Sequence, residues 1–163
     1  MMLSILALAM LCGCTPQVKK QPVILTSFSC PAVVQFGDLK FECVITREDT
    51  SEVTIEITAP EELSGMKIES VGEELRTYYK DMEYSMSPEQ MGSCSFAMTL
   101  ISVLNALTRT NDLSVSRSDN GFVYKGECPQ GKFMLYQNPD DTYNRITLSD
   151  SMIVVFQNRS AGQ

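Results

Sequence analysis

The sequence predicts an α+β fold: a curved antiparallel β-sheet, or unclosed β-barrel, wrapped on one long buried apolar helix. Three observations predict it. Apolar and polar residues alternate with a period of two on both sides of the middle of the chain, which is typical of half-buried antiparallel strands. Residues 94–107 form a single, strongly apolar segment of helical length. The order strands, helix, strands places that helix against the concave face of one sheet.

The first group of strands is predicted between residues 23 and 84. Apolar residues alternate along residues 39–46 and again along 53–58. Residues 60–65, which begin with proline and end with glycine, interrupt the alternation before it resumes through residues 66–79. This half of the chain is therefore expected to be antiparallel strands joined by short polar turns.

A helix is predicted after these strands. Ser87 is a suitable N-cap, Pro88 suits the first helical position, and Gln90 completes the spacing of a capping box. The apolar residues of the segment fall on most sides of the helix, so we expect it to be buried on most sides. Strands are predicted again from residue 113 to residue 156, with turns at residues 119–121, 126–131 and 138–141.

Composition excludes several classes of function. The net charge is −7, so the chain cannot assemble the large basic face of a nucleic-acid-binding protein. There is no histidine, which excludes Ser-His-Asp and Cys-His catalysis and every histidine-dependent zinc site. Paired carboxylates occur only in predicted turns, where solvated surface is the expected role. We therefore expect no enzyme activity, cofactor or metal.

The N-terminal residues predict the location of the protein. Residues 1–11 carry no charge, and a small residue precedes Cys14 before the chain becomes polar. This resembles the lipobox of bacterial lipoproteins, which implies a signal peptide at 1–13 and a lipid, palmitate among its acyl chains, on Cys14. Residues 14–22 would then be the lipidated cysteine and a tether, residues 23–158 a single domain, and 159–163 a loose tail. The expected location is the extracytoplasmic face of the cell membrane.

Four cysteines remain beyond Cys12 and Cys14. A hairpin that turns at Phe36 and Gly37 would place Cys30 opposite Cys43, so a disulfide between them is one prediction. The alternative is that the four cysteines are reduced, buried thiols that act as small apolar side chains.

A family resemblance rests on residues 52–68. These residues resemble the strand–proline–glycine–strand element of the LolA-like lipoprotein-carrier superfamily, with Pro60 and Gly65 between the strands. Ser87 and Pro88 before an apolar helix are similar to its lipid-anchored clostridial members, which include a spore-germination lipoprotein. The resemblance covers most of residues 28–158. It implies an unclosed β-barrel around helices, with an apolar cavity in some members, and transfers no catalytic residue.

Two groups of residues are candidate binding sites. The first comprises apolar residues expected on the concave face, which could line a cavity for an acyl chain or simply fill a core: Phe41, Ile45, Ile55, Ile57, Met66, Ile68, Phe96, Leu100, Leu104, Phe122, Phe133 and Leu135. The second comprises the tyrosines and methionines that join the sheet to the helix, a composition that suits an adaptable contact surface: Tyr78, Met82, Tyr84, Met86 and Met91.

These observations predict a non-enzymatic, membrane-anchored bacterial lipoprotein. It would act in the envelope as a binding or adaptor module for a protein partner or an apolar ligand. The alternative is a lipid or lipoprotein carrier that holds acyl chains in the concave cavity of the sheet. The expected partners are the membrane, through the lipid anchor, an envelope protein and an acyl chain, but no nucleic acid.

Overall fold

The computed structural model describes residues 21–72, 74–87, 95–109, 112–149 and 151–157. These residues form eleven β-strands, one α-helix and a short 3-10 turn at Glu61–Leu63. The strands are β1 (Phe28–Phe36), β2 (Leu39–Arg47), β3 (Glu52–Ala59), β4 (Lys67–Val71), β5 (Glu74–Tyr79), β6 (Met82–Met86), β7 (Ser114–Ser118), β8 (Gly121–Cys128), β9 (Gly131–Gln137), β10 (Tyr143–Leu148) and β11 (Met152–Phe156). The helix, α1, spans Phe96–Leu107.

All eleven strands belong to one antiparallel sheet. Their spatial order is β6-β5-β4-β3-β2-β1-β11-β10-β9-β8-β7, so the first and last of these strands in the chain, β1 and β11, pair in the middle of the sheet. The sheet does not close, because β6 and β7 each have a neighbour on only one side. The predicted fold class, a curved antiparallel sheet that stays unclosed around one helix, is confirmed for the described residues.

The alternating pattern of the sequence determines which face of each strand is buried. In β2, Phe41, Cys43 and Ile45 are buried while Glu42 is exposed. The opposite residues of β3 follow the same rule, since Ile55 and Ile57 pair with Ile45 and Cys43. The buried faces of the strands and α1 form one hydrophobic cluster inside the curve of the sheet.

The helix lies inside that curve. Seven of its twelve residues are buried, which agrees with an apolar pattern on most sides. Its first residue, Phe96, packs edge-on against Phe41 of β2 with ring centroids 4.4 Å apart. The N-cap of α1, as far as the described residues show it, is Ser95, eight positions after the predicted N-cap Ser87. Residues 88–94, which the sequence assigned to the start of the helix, lie outside the described residues.

Two turns differ from the prediction. The β1–β2 hairpin turns at Gly37 and Asp38, one position later than expected, so Phe36 pairs with Leu39. Gly126, predicted in a turn, lies within β8, because the turn to β9 is at residues 129–130. A Cβ atom on Gly126 would come within 2.6 Å of the ring of Phe133.

The shifted turn also corrects the predicted disulfide. Cys30 lies opposite Ile45, and Cys43 lies opposite Ala32. Cys43 is a buried free thiol, so it is not bonded to Cys30. Burial raises the pKa of the Cys43 thiol to about 12, which makes it unreactive at neutral pH.

The described residues show neither a membrane span nor a metal site. No helix among them is long and apolar enough to cross a bilayer. Within the same residues, no group of three or more histidine, cysteine, aspartate or glutamate side chains is arranged to hold a metal ion.

Candidate functional site: an apolar cavity at the rim of the sheet

The concave-face candidates lie in the hydrophobic core. Ten of the twelve are buried, and the other two, Met66 and Phe96, pack against the same cluster. Leu100 and Leu104 of α1 are fully buried among them. The helix therefore fills the concave face around these residues, and none of the twelve lines the cavity described next.

An apolar cavity of about 340 Å³ opens at the rim of the sheet, where β1 begins and β11 ends. We call it the rim cavity. Such a volume lies at the lower end of the range of small-molecule binding sites. Its lining consists of Leu25, Phe28, Ser29, Cys30, Pro31, Thr142, Tyr143, Phe156 and Gln157.

Three aromatic rings form the wall of the rim cavity on its core side. Phe28 lies edge-on to Tyr143, with ring centroids 5.2 Å apart, and edge-on to Phe156 at 6.0 Å. Tyr143 and Phe156 contact each other at 5.7 Å. These geometries are favourable for aromatic pairs, so the wall is a preformed apolar surface.

Hydrogen bonds from partly and fully buried side chains hold the N-terminal segment beside this wall. The Tyr143 hydroxyl donates to the main-chain carbonyl of Leu25 at 2.9 Å. The side-chain amide of Gln137 donates to the carbonyl of Val23 at 2.6 Å and to that of Asp141 at 2.9 Å. The Tyr124 hydroxyl in turn donates to the side-chain oxygen of Gln137 at 2.7 Å, so one network fixes the residues that enter the domain.

The electrostatics of the rim cavity are neutral. None of its lining residues carries a charged side chain. Burial raises the pKa of Tyr143 to about 12 and also raises the pKa of the Cys30 thiol. At neutral pH both groups are therefore uncharged, and the cavity suits an apolar ligand better than an ion.

Sequence reasoning missed this site, apart from Cys30. Its aromatic residues come from β1 and from the β10–β11 hairpin, which are distant from each other in the sequence and become neighbours through the β1–β11 pairing. The available signal was an aromatic residue at a strand end in each case: Phe28 begins β1, Tyr143 begins β10, and Phe156 ends β11.

The tyrosine and methionine candidates are arranged on the β5–β6 hairpin. Tyr84 pairs with Thr77 and Met86 pairs with Leu75, which is buried in the core. Because paired residues share a face, Met82, Tyr84 and Met86 point to the concave side of the sheet. Met82 is nevertheless 65% exposed and Tyr84 61% exposed. We call these three residues and Tyr79 the hairpin face; Tyr78 lies on the opposite face.

Comparisons with known proteins show only distant similarity. A LolA superfamily protein from Nitrosomonas europaea is 10% identical, with a TM-score of 0.40, over 84% of this chain and 86% of that chain. An uncharacterized conserved protein from Thermus thermophilus is 14% identical, with a TM-score of 0.46, over 80% of this chain and 76% of that chain. No family model matches the sequence, and no curated protein matches it significantly. These likenesses are too distant to assign a function.

Two predicted site residues lie outside the described residues. They are Cys14, the predicted lipidation site, and Met91 of the predicted contact surface.

Proposed function

We propose that this protein is a non-enzymatic, lipid-anchored module on the extracytoplasmic face of a bacterial membrane that binds an apolar chain in the rim cavity. The observation that carries the proposal is the position of the cavity. It lies where residues 23–25 enter the domain, so the site and the predicted tether are at the same end of the molecule.

The length of the tether supports this arrangement. Cys14 precedes the first described residue, Gln21, by seven positions. Seven extended residues reach at most about 25 Å. A lipid on Cys14 would therefore keep the rim cavity close to the membrane surface, where apolar chains are abundant. A net charge of −7 gives no attraction to anionic lipids, so attachment would depend on the anchor.

The chemistry of the lining supports an apolar ligand without catalysis. The polar groups of the lining are hydroxyl, thiol and amide groups, and no lining residue is a carboxylate or an amine. The Cys30 thiol and the Tyr143 hydroxyl have raised pKa values, so neither is an activated nucleophile at neutral pH. A carrier function, the alternative, is also compatible with the rim cavity, because α1 fills the concave face around the predicted residues.

Ligand binding can be tested with a matched pair of variants. The hydroxyls of Ser29 and Thr46 hydrogen-bond to each other at 2.8 Å, but only Ser29 lines the rim cavity. Ser29→Phe and Thr46→Phe each remove this hydrogen bond, and only the first introduces a ring at a residue that lines the rim cavity. With dodecanoate as the probe and full-length Cys14→Ser protein as the background, calorimetry should show that Ser29→Phe weakens binding about tenfold or more while Thr46→Phe binds like its parent.

The ligand proposal fails if the parent does not bind dodecanoate or if both variants bind it equally well. Native mass spectrometry of the full chain, purified from the producing cells, gives an independent check. Acyl chains that co-purify with the parent, and not with Ser29→Phe, would agree with the proposal.

The anchor is tested separately in the producing cell. A radiolabelled lipid precursor should label the full chain and not the Cys14→Ser variant, and only the former should fractionate with membranes. Equal labelling of both chains would contradict lipidation at this position, whatever the result for the rim cavity.

A second candidate function is contact with a protein partner through the hairpin face. The observation that favours it is the exposure of Met82 and Tyr84 on the side of the sheet that is buried elsewhere. Exposed methionine and tyrosine side chains are enriched at protein contact surfaces.

A further inference from the structure

We infer that β6 pairs antiparallel with β6 of a second copy of this chain, around a two-fold axis that passes through Tyr84. This inference rests on the second candidate function, because it names the partner of the hairpin face. It depends neither on the rim cavity nor on the lipid. The pairing would join two sheets edge to edge, which is a common mode of strand addition.

The first step is that β6 is an open edge. It pairs with β5 on one side, and no strand of the described residues pairs with its other side. Four of its five residues are exposed, and Met86 is half-buried. An edge strand of this kind presents unpaired main-chain donors and acceptors that favour another strand.

The second step is that the side chains of β6 are self-complementary. When Tyr84 faces Tyr84 of the second copy, Met82 faces the second copy's Met86, and Glu83 faces its Ser85. The apolar residues then form one continuous row on the concave side. Paired aromatic and apolar residues at directly opposite positions stabilise a sheet.

The third step is that no like charges are directly opposed on the other face. Glu83 meets Ser85 of the second copy rather than another carboxylate, so like charges are not opposed. On β5, Arg76 pairs with Ser85 in its own chain. Arg76 pairs with Glu74 of its own chain at 2.8 Å, and two strand spacings, about 10 Å, separate it from the second copy's Glu83, so it makes no ion pair across the contact. Pairing with a second copy instead avoids the directly opposed carboxylates that an acidic strand would place beside Glu83.

The opposite edge of the sheet is less suited to pairing. On β7, Arg117 pairs with Phe122 and so points to the concave side, where its guanidinium lies 5.9 Å from the Phe122 ring centroid. An inward-pointing charge on an edge strand disfavours the addition of another strand. No charged residue of β6 points inward, because Glu83 lies on the other face. We therefore assign the contact to β6.

Cysteine cross-linking tests both the contact and its register. At the two-fold axis, the Cβ atoms of the two residues at position 84 would be about 5 Å apart, close to the separation that a disulfide needs. The two residues at position 82 would be about 14 Å apart. On mild oxidation of the purified protein, the full chain with Tyr84→Cys should form a covalent dimer, whereas Met82→Cys alone should not. A mixture of Met82→Cys and Met86→Cys chains should form a heterodimer.

The parent chain, which keeps its native cysteines, is the background control, and mass spectrometry should identify the joined peptides. A Tyr84→Cys chain that stays monomeric at every concentration would overturn the inference, as would a Met82→Cys chain that cross-links to itself more efficiently. Cross-linking of Tyr84→Cys to a different envelope protein would also overturn it, while leaving contact through the hairpin face intact.

A charge variant gives a second readout. Tyr84→Glu places two carboxylates at the axis, and it should weaken the dimer at least tenfold in sedimentation, because like charges directly opposite each other are destabilising. Val115→Glu is the matched control, since Val115 is an exposed apolar residue on the opposite edge strand. Five residues on each strand form a small interface, so the dimer should dissociate on dilution. Equal weakening by both variants would contradict the assignment to β6.

Discussion

The guanidinium of Arg47 lies inside the molecule, 1% exposed, at the end of the helix. It donates to the main-chain carbonyls of Leu104, Asp49 and Thr50 at 2.5, 2.7 and 2.9 Å. Burial lowers the pKa of Arg47, but an arginine remains charged at physiological pH. A cation near the C-terminus of a helix is also favourable for the helix dipole. Arg47 therefore joins the helix end to β2 and to the β2–β3 turn.

Replacing Arg47 should cost much more stability than replacing an exposed arginine. Arg47→Met keeps most of the side-chain volume but leaves the buried Leu104 carbonyl without this donor and removes the two bonds to the β2–β3 turn, so we expect a loss of about 2–4 kcal/mol in the free energy of unfolding. Arg145→Met is the control, because Arg145 is exposed and its main contact is the ring of Tyr136. Urea denaturation measures both, and a similar small loss for the two variants would show that Arg47 has no special role.

The buried tyrosines predict alkaline unfolding. Burial raises the pKa of Tyr124 and of Tyr143 to about 12, above the value near 10 of an unfolded chain. Each hydroxyl therefore stabilises the fold fully below pH 10, and this contribution is lost as the pH rises from about 10 to about 12. In this range the free energy of unfolding falls with pH, and the slope approaches about 1.4 kcal/mol per pH unit for each tyrosine.

The variant Tyr143→Phe should reduce that slope. Urea unfolding at a series of alkaline pH values measures it, and Tyr136→Phe, at a half-buried position, serves as the control. An unchanged slope in Tyr143→Phe would contradict the assignment of the raised pKa to burial of this hydroxyl.

At the scale of elements, hairpin turns determine which strands can approach each other. Gly121 begins β8 with φ of +121°, and a Cβ atom there would lie 2.0 Å from the main-chain oxygen of Gln137. The β7–β8 hairpin therefore packs its turn directly on the backbone of β9. Gly72, in contrast, has φ of +62° with open space around it.

These two glycines should respond differently to the same change. Gly121→Ala is expected to destabilise the fold by about 3 kcal/mol or more, because both its backbone conformation and the close contact resist a side chain. Gly72→Ala should lower the stability by only about 1 kcal/mol, because the left-handed backbone conformation is the one feature that opposes a side chain there. Thermal or urea denaturation compares them, and equal losses would mean that the β9 backbone yields to the added methyl group.

At the scale of the whole molecule, one core connects both halves of the sheet. The buried cluster contains residues from α1 and from every strand except the two edge strands, β6 and β7, and β1–β11 pairing joins the N-terminal and C-terminal parts. Such an arrangement leaves no half with a core of its own, so the halves are not expected to unfold separately.

We therefore expect a single cooperative unfolding transition. Tyrosine fluorescence is available as a tertiary probe because the chain has no tryptophan, and far-ultraviolet circular dichroism reports the sheet. The two probes should give the same urea midpoint and the same dependence of the unfolding free energy on urea concentration. Two separate transitions would show that the strands on either side of the β1–β11 pairing unfold as independent units.

Much of the fold could be predicted because strands and helices leave periodic signals. The alternation through β2 and β3 assigned Ile45, Ile55 and Ile57 correctly to the buried face. Turn positions were predicted less accurately. The consequence is large, because a hairpin that turns one residue later changes every cross-strand partner. That shift placed Cys43 opposite Ala32, and the predicted disulfide with Cys30 was therefore wrong.

By itself, the sequence determined the class of this protein: an acidic, histidine-free chain whose period-two patterns and single apolar helix specify an unclosed sheet around a helix. Only the tertiary structure showed which apolar residues are covered and where an apolar cavity opens. Local patterns identify which side chains avoid water, but not whether neighbouring elements cover them. The concave residues pack in the core, while the rim cavity forms where Phe28 meets Tyr143 and Phe156 of the distant β10–β11 hairpin.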